Sequence, residues 1–386
     1  MGVTEEKAMQ ELDAIKQEAS KYYNYEQAIK LMLNSIYGAF GNEYFYFFNV
    51  DIAETITLQG KDAILYTEEM VNKYFREFWH KDTAAHQQMG IQVTERVKEP
   101  IGIYIDTDSI YMKFDEVVRN STWEGSEKDF ILKLYQVRLR DYIEKIMQKY
   151  ADANNADNFL SFELESIAKN AIWLAKKKYM QNIVWKDPNM HYDELTKVSA
   201  KGFEIIQSSA PLFAREKLKE LITYIFSVDK VDMRDFAGML KDIKRQFKLA
   251  NIDHISESKK VNNYQKYILE DQDAFQIGSK CPIGVRAAGY HNYLLNNSPH
   301  RKKYKPVGNG EKLKMYFTTD AACEVFAYSP GEYPYEFAPP IDHDAQFEKT
   351  ILDPINRVLK VMGFKQFDRN LIYTVSVFWR GAGIDS

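Results

Sequence analysis

Near the start of the chain, apolar residues recur at helical spacing: Ala8, Leu12, Ile15, Ala19, Tyr22 or Tyr23, Ile29, Leu33 and Ile36. The pattern predicts one long helix over residues 4–37. Thr4 is its candidate N-cap, and Lys7 stands where a capping box would place Glu, so the box is absent. Glu5, Glu6, Glu11, Asp13, Lys16, Glu18 and Lys21 make the polar face. Such a helix has little to bury its stripe against within its own segment and expects a partner helix. Gly38 and Gly41 are expected to break it, and the aromatic run Tyr44-Phe45-Tyr46-Phe47-Phe48 to form a packed connection. A second helix is predicted from Asp51 to Trp79, capped by Asn49 or Asp51. His80 to Pro100 is polar and weakly periodic, which reads as a surface excursion.

The period then changes. Ile103-Tyr104-Ile105 and Ile110-Tyr111-Met112 bracket a short acidic centre, Asp106-Thr107-Asp108-Ser109, the pattern of two strands meeting at a tight turn. Lys128 to Tyr150 is an amphipathic helix and residues 154–158 are loop. Phe159 to Ile167 and Ala171 to Trp185 read as strands or mixed elements, followed by a turn at Lys186-Asp187-Pro188-Asn189. Val198 to Ile206 is a strand candidate, and Pro211 opens a helix running through Leu221 and Ile225. From about residue 226 the chain reads as helical and loop-rich, with its clearest helices at Val231 to Leu249 and Ala345 to Met362. No internal repeat or low-complexity stretch is found.

Composition narrows the class. At 386 residues the chain exceeds what one hydrophobic core usually serves, so two or three structural units are expected. Its 45% hydrophobic and 27% charged residues are ordinary for a soluble globular protein. No stretch approaches the ~20 apolar residues of a membrane span. The start, Met1-Gly2-Val3-Thr4-Glu5-Glu6-Lys7, is polar rather than a signal peptide, and Lys7 argues against myristoylation at Gly2. Cys281 and Cys323 give no disulfide framework or metal cluster, so a reducing cytoplasm is the expected compartment. His86, His254, His300 and His343 show no metal-ligand spacing.

A net charge of −4 argues against an indiscriminate polyanion binder. Basic clusters nevertheless occur at Lys176-Lys177-Lys178, at Lys241, Lys244, Arg245 and Lys248, at Lys259-Lys260, and at Arg301-Lys302-Lys303-Tyr304-Lys305. They are either solvated faces or a track for a phosphate backbone.

Two constellations carry candidate chemistry. In extended chain, Asp106 and Asp108 at i and i+2 share a face and project together from the hairpin tip. Paired carboxylates raise each other's pKa unless a cation sits between them, and hard oxygen ligands suit Mg²⁺. An Asx-type turn, in which the aspartates serve only the backbone, fits the tetrapeptide as well. Lys30, Asn34 and Tyr37 stand at i, i+4 and i+7 on one helical face ending at Gly38. A cation, an amide and a phenol there suit a nucleotide; an ordinary amphipathic helix has the same spacing.

Taken together, these segments resemble the family B (polymerase-α-like) DNA polymerases. Lys30-x3-Asn34-Ser35-x-Tyr37-Gly38 looks like the family's motif B, and Asp106-Thr107-Asp108-Ser109 looks like its motif C. Lys176-Lys177-Lys178-Tyr179 resembles the KKRY-type element. Residues 202–211 resemble the segment from palm to thumb, and Lys280-Cys281-Pro282 with Val285, Arg286 and Tyr290 resembles the thumb of phage replicative members.

The resemblance implies an α+β right-hand polymerase fold. Residues 1–41 would be the second fingers helix, 42–222 the palm (an antiparallel sheet with helices) and 223–386 a mainly helical thumb. The implied reaction is template-directed DNA synthesis with two Mg²⁺ ions, or Mn²⁺ in their place. Asp108 would hold the metals directly, with Asp106 beside it and Glu165 a weaker candidate that an ion-pair role fits equally. Lys30 and Asn34 would contact the triphosphate of the incoming dNTP, and Tyr37 the minor-groove side of the nascent pair. Lys177 and Tyr179, with Lys176 and Lys178, would meet the primer strand of the primer–template DNA. Arg286, Lys302 and Lys303 would bind duplex phosphates, although the 301–305 cluster could equally be a solvated loop.

The family's motif A, which supplies another metal-binding carboxylate, is not found in the chain, nor are the acidic motifs of a 3′–5′ exonuclease. The expectation is therefore a C-terminal chain of a naturally split polymerase, active with an N-terminal partner that carries motif A and the exonuclease. A fragment of a single-chain polymerase and a non-catalytic primer–template-binding scaffold are the alternatives. A sliding clamp is a further candidate partner, through the aromatic tail at residues 375–386.

Overall fold

The computed structural model describes residues 2–187, 198–268, 275 and 280–369. The chain divides into two compact units, Met1–Leu164 and Glu165–Ser386. Helices and antiparallel sheets are mixed in it, an α+β architecture.

The first unit opens with α1 (Gly2–Phe40) and α2 (Val50–Lys73). Asn49 caps α2 by accepting the amide of Ile52. Gly38 lies inside α1 rather than ending it; the helix stops where Gly41 follows Phe40. A glycine weakens a helix interior by about 1 kcal/mol, too little to stop a helix of this length. α2 runs on through a π-helical turn, Tyr74–Phe78, and a 3-10 turn, Trp79–Lys81. Its second half packs on α6 (Arg140–Ala153), which a π-helical turn at Tyr135–Leu139 joins to α5 (Glu127–Leu134) as the single helix that the periodicity predicts. Phe75, Trp79, Phe130, Leu134, Ile143 and Met147 form the centre of this core.

Residues 80–100 are not a surface excursion. They contain α3 (Thr83–Met89), whose Ala85 and Met89 are buried, and Ile91 and Val97 are buried after it. Two apolar positions four apart are enough for one helical turn of contact, and the polar residues around them hide that signal. Asp82 caps α3 through the amide of Ala85. Its carboxylate also accepts the Tyr74 hydroxyl and the Arg138 guanidinium, each at 2.6 Å. The aromatic run after α1 is not packed by this chain either, since Tyr44 and Tyr46 are over 90% exposed.

The unit is completed by strands β1 (Gly102–Asp106) and β2 (Ser109–Met112), paired antiparallel, and by α4 (Asp115–Arg119).

The second unit begins with an antiparallel sheet of β3 (Ser166–Ala175), β4 (Lys178–Lys186) and β5 (Val198–Lys201), in that spatial order. Residues 159–165 have no regular structure, and the strand predicted to Ile206 ends at Lys201 before Gly202, at φ +65°. Pro188 and Asn189 of the predicted turn lie outside the described residues.

Helices α7 (Leu212–Ser227) and α8 (Met233–Leu249) follow, then α9 (Ile252–Ile255), β6 (Glu257–Lys260), α10 (Tyr264–Tyr267), α11 (Ile283–Asn296), β7 (Lys312–Phe317), β8 (Val325–Tyr328), α12 (His343–Phe347) and α13 (Asp353–Val361). A π-helical turn at Glu348–Leu352 joins α12 to α13 across the span predicted as one helix. α7, α8 and α13 share a core with Met180 and Val198 of the β3-β4-β5 sheet and with Phe203 just after it.

The antiparallel sheet β6-β7-β8 is a feature the sequence reading did not foresee. β6, Glu257-Ser258-Lys259-Lys260, has no apolar residue, and β8, Val325-Phe326-Ala327-Tyr328, is buried at every position, so neither alternates.

Candidate functional site

The acidic hairpin is held in place by α2. The side-chain oxygen of Asn72 accepts the amide of Gly102 at 2.9 Å, at the first residue of β1. A Cβ at Gly102 would lie 2.7 Å from Cγ of Glu68, so any larger residue there would have to displace the Glu68 side chain. The carboxylate of Glu116 accepts the amides of Lys98 and Glu99, both at 3.1 Å, and fixes the approach to the strand. Burial raises the pKa of Glu116, but these two amides together with the charges of Arg119 and Lys98 leave it below its ordinary value.

Strand register pairs Asp106 with Ser109, which leaves Thr107 and Asp108 as the two-residue turn. Thr107 is left-handed, at φ +62°. The turn breaks the alternation of side chains, so the two aspartates do not project together from an extended chain. Asp106 is 2% exposed, whereas Asp108 is exposed at the tip. The backbone bond across the turn runs from the Asp108 amide to the Asp106 carbonyl, at 2.8 Å. The hydroxyls of Thr107 and Ser109 each donate to the preceding aspartate at 3.3 Å. The rings of Tyr104 and Tyr111 face each other across the strands at 5.7 Å.

Lys30, Asn34 and Tyr37 all lie on α1 and are all exposed. α2 touches both α1 and the two hairpin strands, so one helix links the two candidate elements.

In the second unit, Lys176 and Lys177 form the turn between β3 and β4, and Ala175 pairs with Lys178. The three lysines are exposed, and Tyr179 is 4% exposed. Lys201 stands opposite Tyr179 on β5, with its ammonium 5.8 Å from the ring centroid. The sequence offers no sign of this neighbour, because the pairing depends on a register that local pattern does not reveal. Glu165 is exposed just ahead of β3, and its backbone carbonyl accepts the amide of Asp187 at 3.0 Å. Its charge acts on Lys186 across the same strand pair.

The more distal cations have protein partners. Arg286 on α11 donates to Glu324 at 2.6 Å and to the Cys281 carbonyl at 3.4 Å. Lys303 and the Tyr304 hydroxyl both donate to Glu336, which holds that carboxyl down at about 2. Lys302 is exposed beside them. Lys244, 4% exposed, is paired with Asp344 at 2.9 Å. The tail at residues 375–386 lies outside the described residues.

Among the described residues, no three His, Cys, Asp or Glu side chains gather in a way that could hold a metal ion. The hairpin's carboxylate oxygens fit a divalent ion in kind, and could fill only part of a six-oxygen shell. Among the described residues, no helix is long and apolar enough to cross a membrane.

Comparison with known proteins bears on both units. Residues 5–278 match the model of DNA polymerase family B. The DNA-directed DNA polymerase of Escherichia phage RB69 is 28% identical over 298 residues, covering 74% of this chain and 30% of the relative. That of Enterobacteria phage T4 is 22% identical over 348 residues, covering 84% and 36%. The DNA polymerase alpha catalytic subunit of Xenopus laevis is 26% identical over 202 residues, 52% of this chain and 11% of the relative. The chain thus spans about a third of the length of the phage relatives.

Proposed function

Because the chain belongs to DNA polymerase family B, we propose that it carries the acidic hairpin, the nucleotide-facing helix and the primer-facing turn of a template-directed DNA polymerase. The observation that carries this reading is the hairpin, whose root is tied to α2 through Asn72 while Asp108 stands exposed at its tip. A carboxylate held rigidly and left accessible is what a metal-assisted nucleotidyl transfer asks of a protein.

In this reading Asp108 is the direct metal ligand, and buried Asp106 sets the position of the tip. Two Mg²⁺ ions, or Mn²⁺, would supply Lewis-acid stabilisation of the primer 3′-oxygen and the departing pyrophosphate. Lys30 places a positive charge where the triphosphate oxygens gain negative charge, and Asn34 donates beside it on α1. Tyr37, one further turn along, faces the minor-groove edge of the new base pair, where A·T and G·C present similar acceptors. Lys176, Lys177 and Lys178 neutralise primer phosphates, with Tyr179 packed beneath them. Glu165 remains a candidate metal ligand. Arg286 and Lys303 would serve duplex DNA only by exchanging their carboxylate partners for phosphates, whereas Lys302 is already exposed to solvent. Residues 1–41 would serve as fingers, 42–222 as palm and 223–386 as thumb.

One exposed carboxylate at the tip of the hairpin leaves the coordination shell incomplete. We infer that a further carboxylate, on the family's motif A, arrives from polypeptide outside this chain, together with the 3′–5′ exonuclease. The exposed α1 stripe supports such an assembly: Leu12, Ile15, Leu33 and Ile36 are each at least half exposed. A sliding clamp is a further candidate partner.

Primer extension tests the reading. The purified chain alone should incorporate no nucleotide, and adding a polypeptide with motif A should restore incorporation. Robust extension by the chain alone would overturn the requirement for a partner. An assembled complex that binds primer–template yet never extends it would favour a scaffold.

A further inference from the structure

Lys177 is a lysine in a conformation that favours glycine. Its φ is +61°, at the second residue of the β3–β4 turn. A side chain raises the cost of that geometry, so something around the turn must hold it. The neighbour is Gly202, at the end of β5. A Cβ added there would lie 2.2 Å from the carbonyl oxygen of Lys177 and 3.1 Å from Cγ of Lys178. Gly202 is itself left-handed, at φ +65°, and its carbonyl accepts the side-chain amide of Gln207 at 3.1 Å. Two left-handed residues, one on each side of a close backbone contact, therefore lock the lysine turn onto the end of the neighbouring strand. The Lys201–Tyr179 pair lies close by, one residue before Gly202 and two after Lys177.

We propose that Gly202 is a positioning residue for DNA binding: by admitting the Lys177 carbonyl against its own backbone, it fixes the direction in which the Lys176–Lys178 ammonium groups leave the turn. This rests on the reading that those lysines meet primer phosphates. A Cβ at position 202 reaches ordinary contact only if the Lys177 carbonyl moves by about an ångström, and backbone cannot yield as a flexible side chain can.

The test is a set of variants in the full chain, measured for primer–template affinity across a salt series and for thermal midpoint. Lys177→Gly keeps a left-handed turn and removes one ammonium, so the slope of log affinity against log salt should fall by about one. Gly202→Ala keeps every lysine but should weaken binding by roughly three- to ten-fold and reduce the slope by a similar amount. In Lys177→Gly/Gly202→Ala, glycine at 177 lets the carbonyl move. The thermal midpoint should recover toward that of Lys177→Gly while affinity falls below it, because the moved carbonyl still misdirects Lys176 and Lys178.

A Gly202→Ala protein that melts earlier but binds DNA with unchanged affinity and slope would overturn the proposal, leaving Gly202 a purely structural residue. If Lys177→Gly itself leaves affinity and slope unchanged, the failure lies in the primer-phosphate reading on which the proposal stands.

Discussion

The amide of Asp108 donates to the carbonyl of Asp106 at 2.8 Å, yet the first side chain is exposed and the second is 2% exposed. One turn thus separates an accessible carboxylate from a buried one, and the two should respond differently to substitution. Asp108→Asn should lower primer extension in the assembled enzyme by at least about 10³-fold. Its thermal stability should stay within about 0.5 kcal/mol, as for other exposed positions. Asp106→Ala should cost roughly 1–3 kcal/mol, because it disturbs a buried polar site. Parallel melting and extension assays check both, and a strongly destabilised Asp108→Asn would contradict the division of roles.

Lys30 lies on the exposed helix α1, so its loss should leave the fold intact. Lys30→Ala should reduce kcat/KM for dNTP incorporation by about 10²-fold, the scale expected for removing one charge from a developing phosphate. Single-nucleotide kinetics on the assembled enzyme would register it. An unchanged kcat/KM would remove Lys30 from the triphosphate site.

Asp82 joins α3 to the main helices of the first unit by receiving the Tyr74 hydroxyl, the Arg138 guanidinium and the Ala85 amide. Asp82→Ala should destabilise by roughly 2–4 kcal/mol, since it leaves a partly buried Arg138 without its carboxylate. Burial raises the Asp82 pKa, but the Tyr74 and Ala85 hydrogen bonds and Arg138 outweigh it, so the folded value lies below the ordinary one. The stability it contributes is complete above the normal carboxylate range and is lost as pH falls through and below that range. Chemical denaturation between neutral and acid pH should show a steeper loss for the parent protein than for Asp82→Ala.

His291 is 2% exposed on α11, between Phe326 and Phe337, and burial pushes its pKa down. The unfolded chain takes up a proton near pH 6.5 while the folded ring stays neutral. Stability therefore begins to fall as pH drops through the ordinary histidine value and keeps falling to the lower folded one. His291→Phe should flatten that part of the stability profile. An equally sloped profile in the variant would assign the acid sensitivity elsewhere, with His86 and His343, both also lowered by burial, as the next to examine.

Much of this architecture was legible because it is written in local pattern. The period of α1, the cap at Asn49 and the apolar strands around the aspartates each specify an element without help from distant residues. The β6–β8 sheet was hidden for the opposite reason: Glu257-Ser258-Lys259-Lys260 becomes a strand only because residues 312–317 pair with it. The same holds at the candidate site. Spacing singled out Asp106 and Asp108, but their different exposure follows from the left-handed Thr107, which alternation along an extended strand could not anticipate. Lys201 and Gly202 reach the lysine turn only through the β4–β5 register, and Arg286 finds Glu324 across 38 positions of sequence.

The α1 stripe offers a test of assembly. Leu12→Glu with Ile15→Glu should abolish co-purification with the motif A polypeptide while leaving the melting of the isolated chain almost unchanged, because both side chains are exposed here. Retained co-purification would place the contact elsewhere.

A helix this bare has one more consequence. Most helices draw their stability from a buried face, and isolated helices are marginal in water. None of the described side chains of α1 is buried, so its backbone amides should exchange with solvent many times faster than those of α2's buried half, at Ala63, Ile64, Thr67 and Val71. The contrast makes α1 a built-in gauge: slowed hydrogen exchange along it, appearing while α2 stays constant, would time the arrival of whatever covers it.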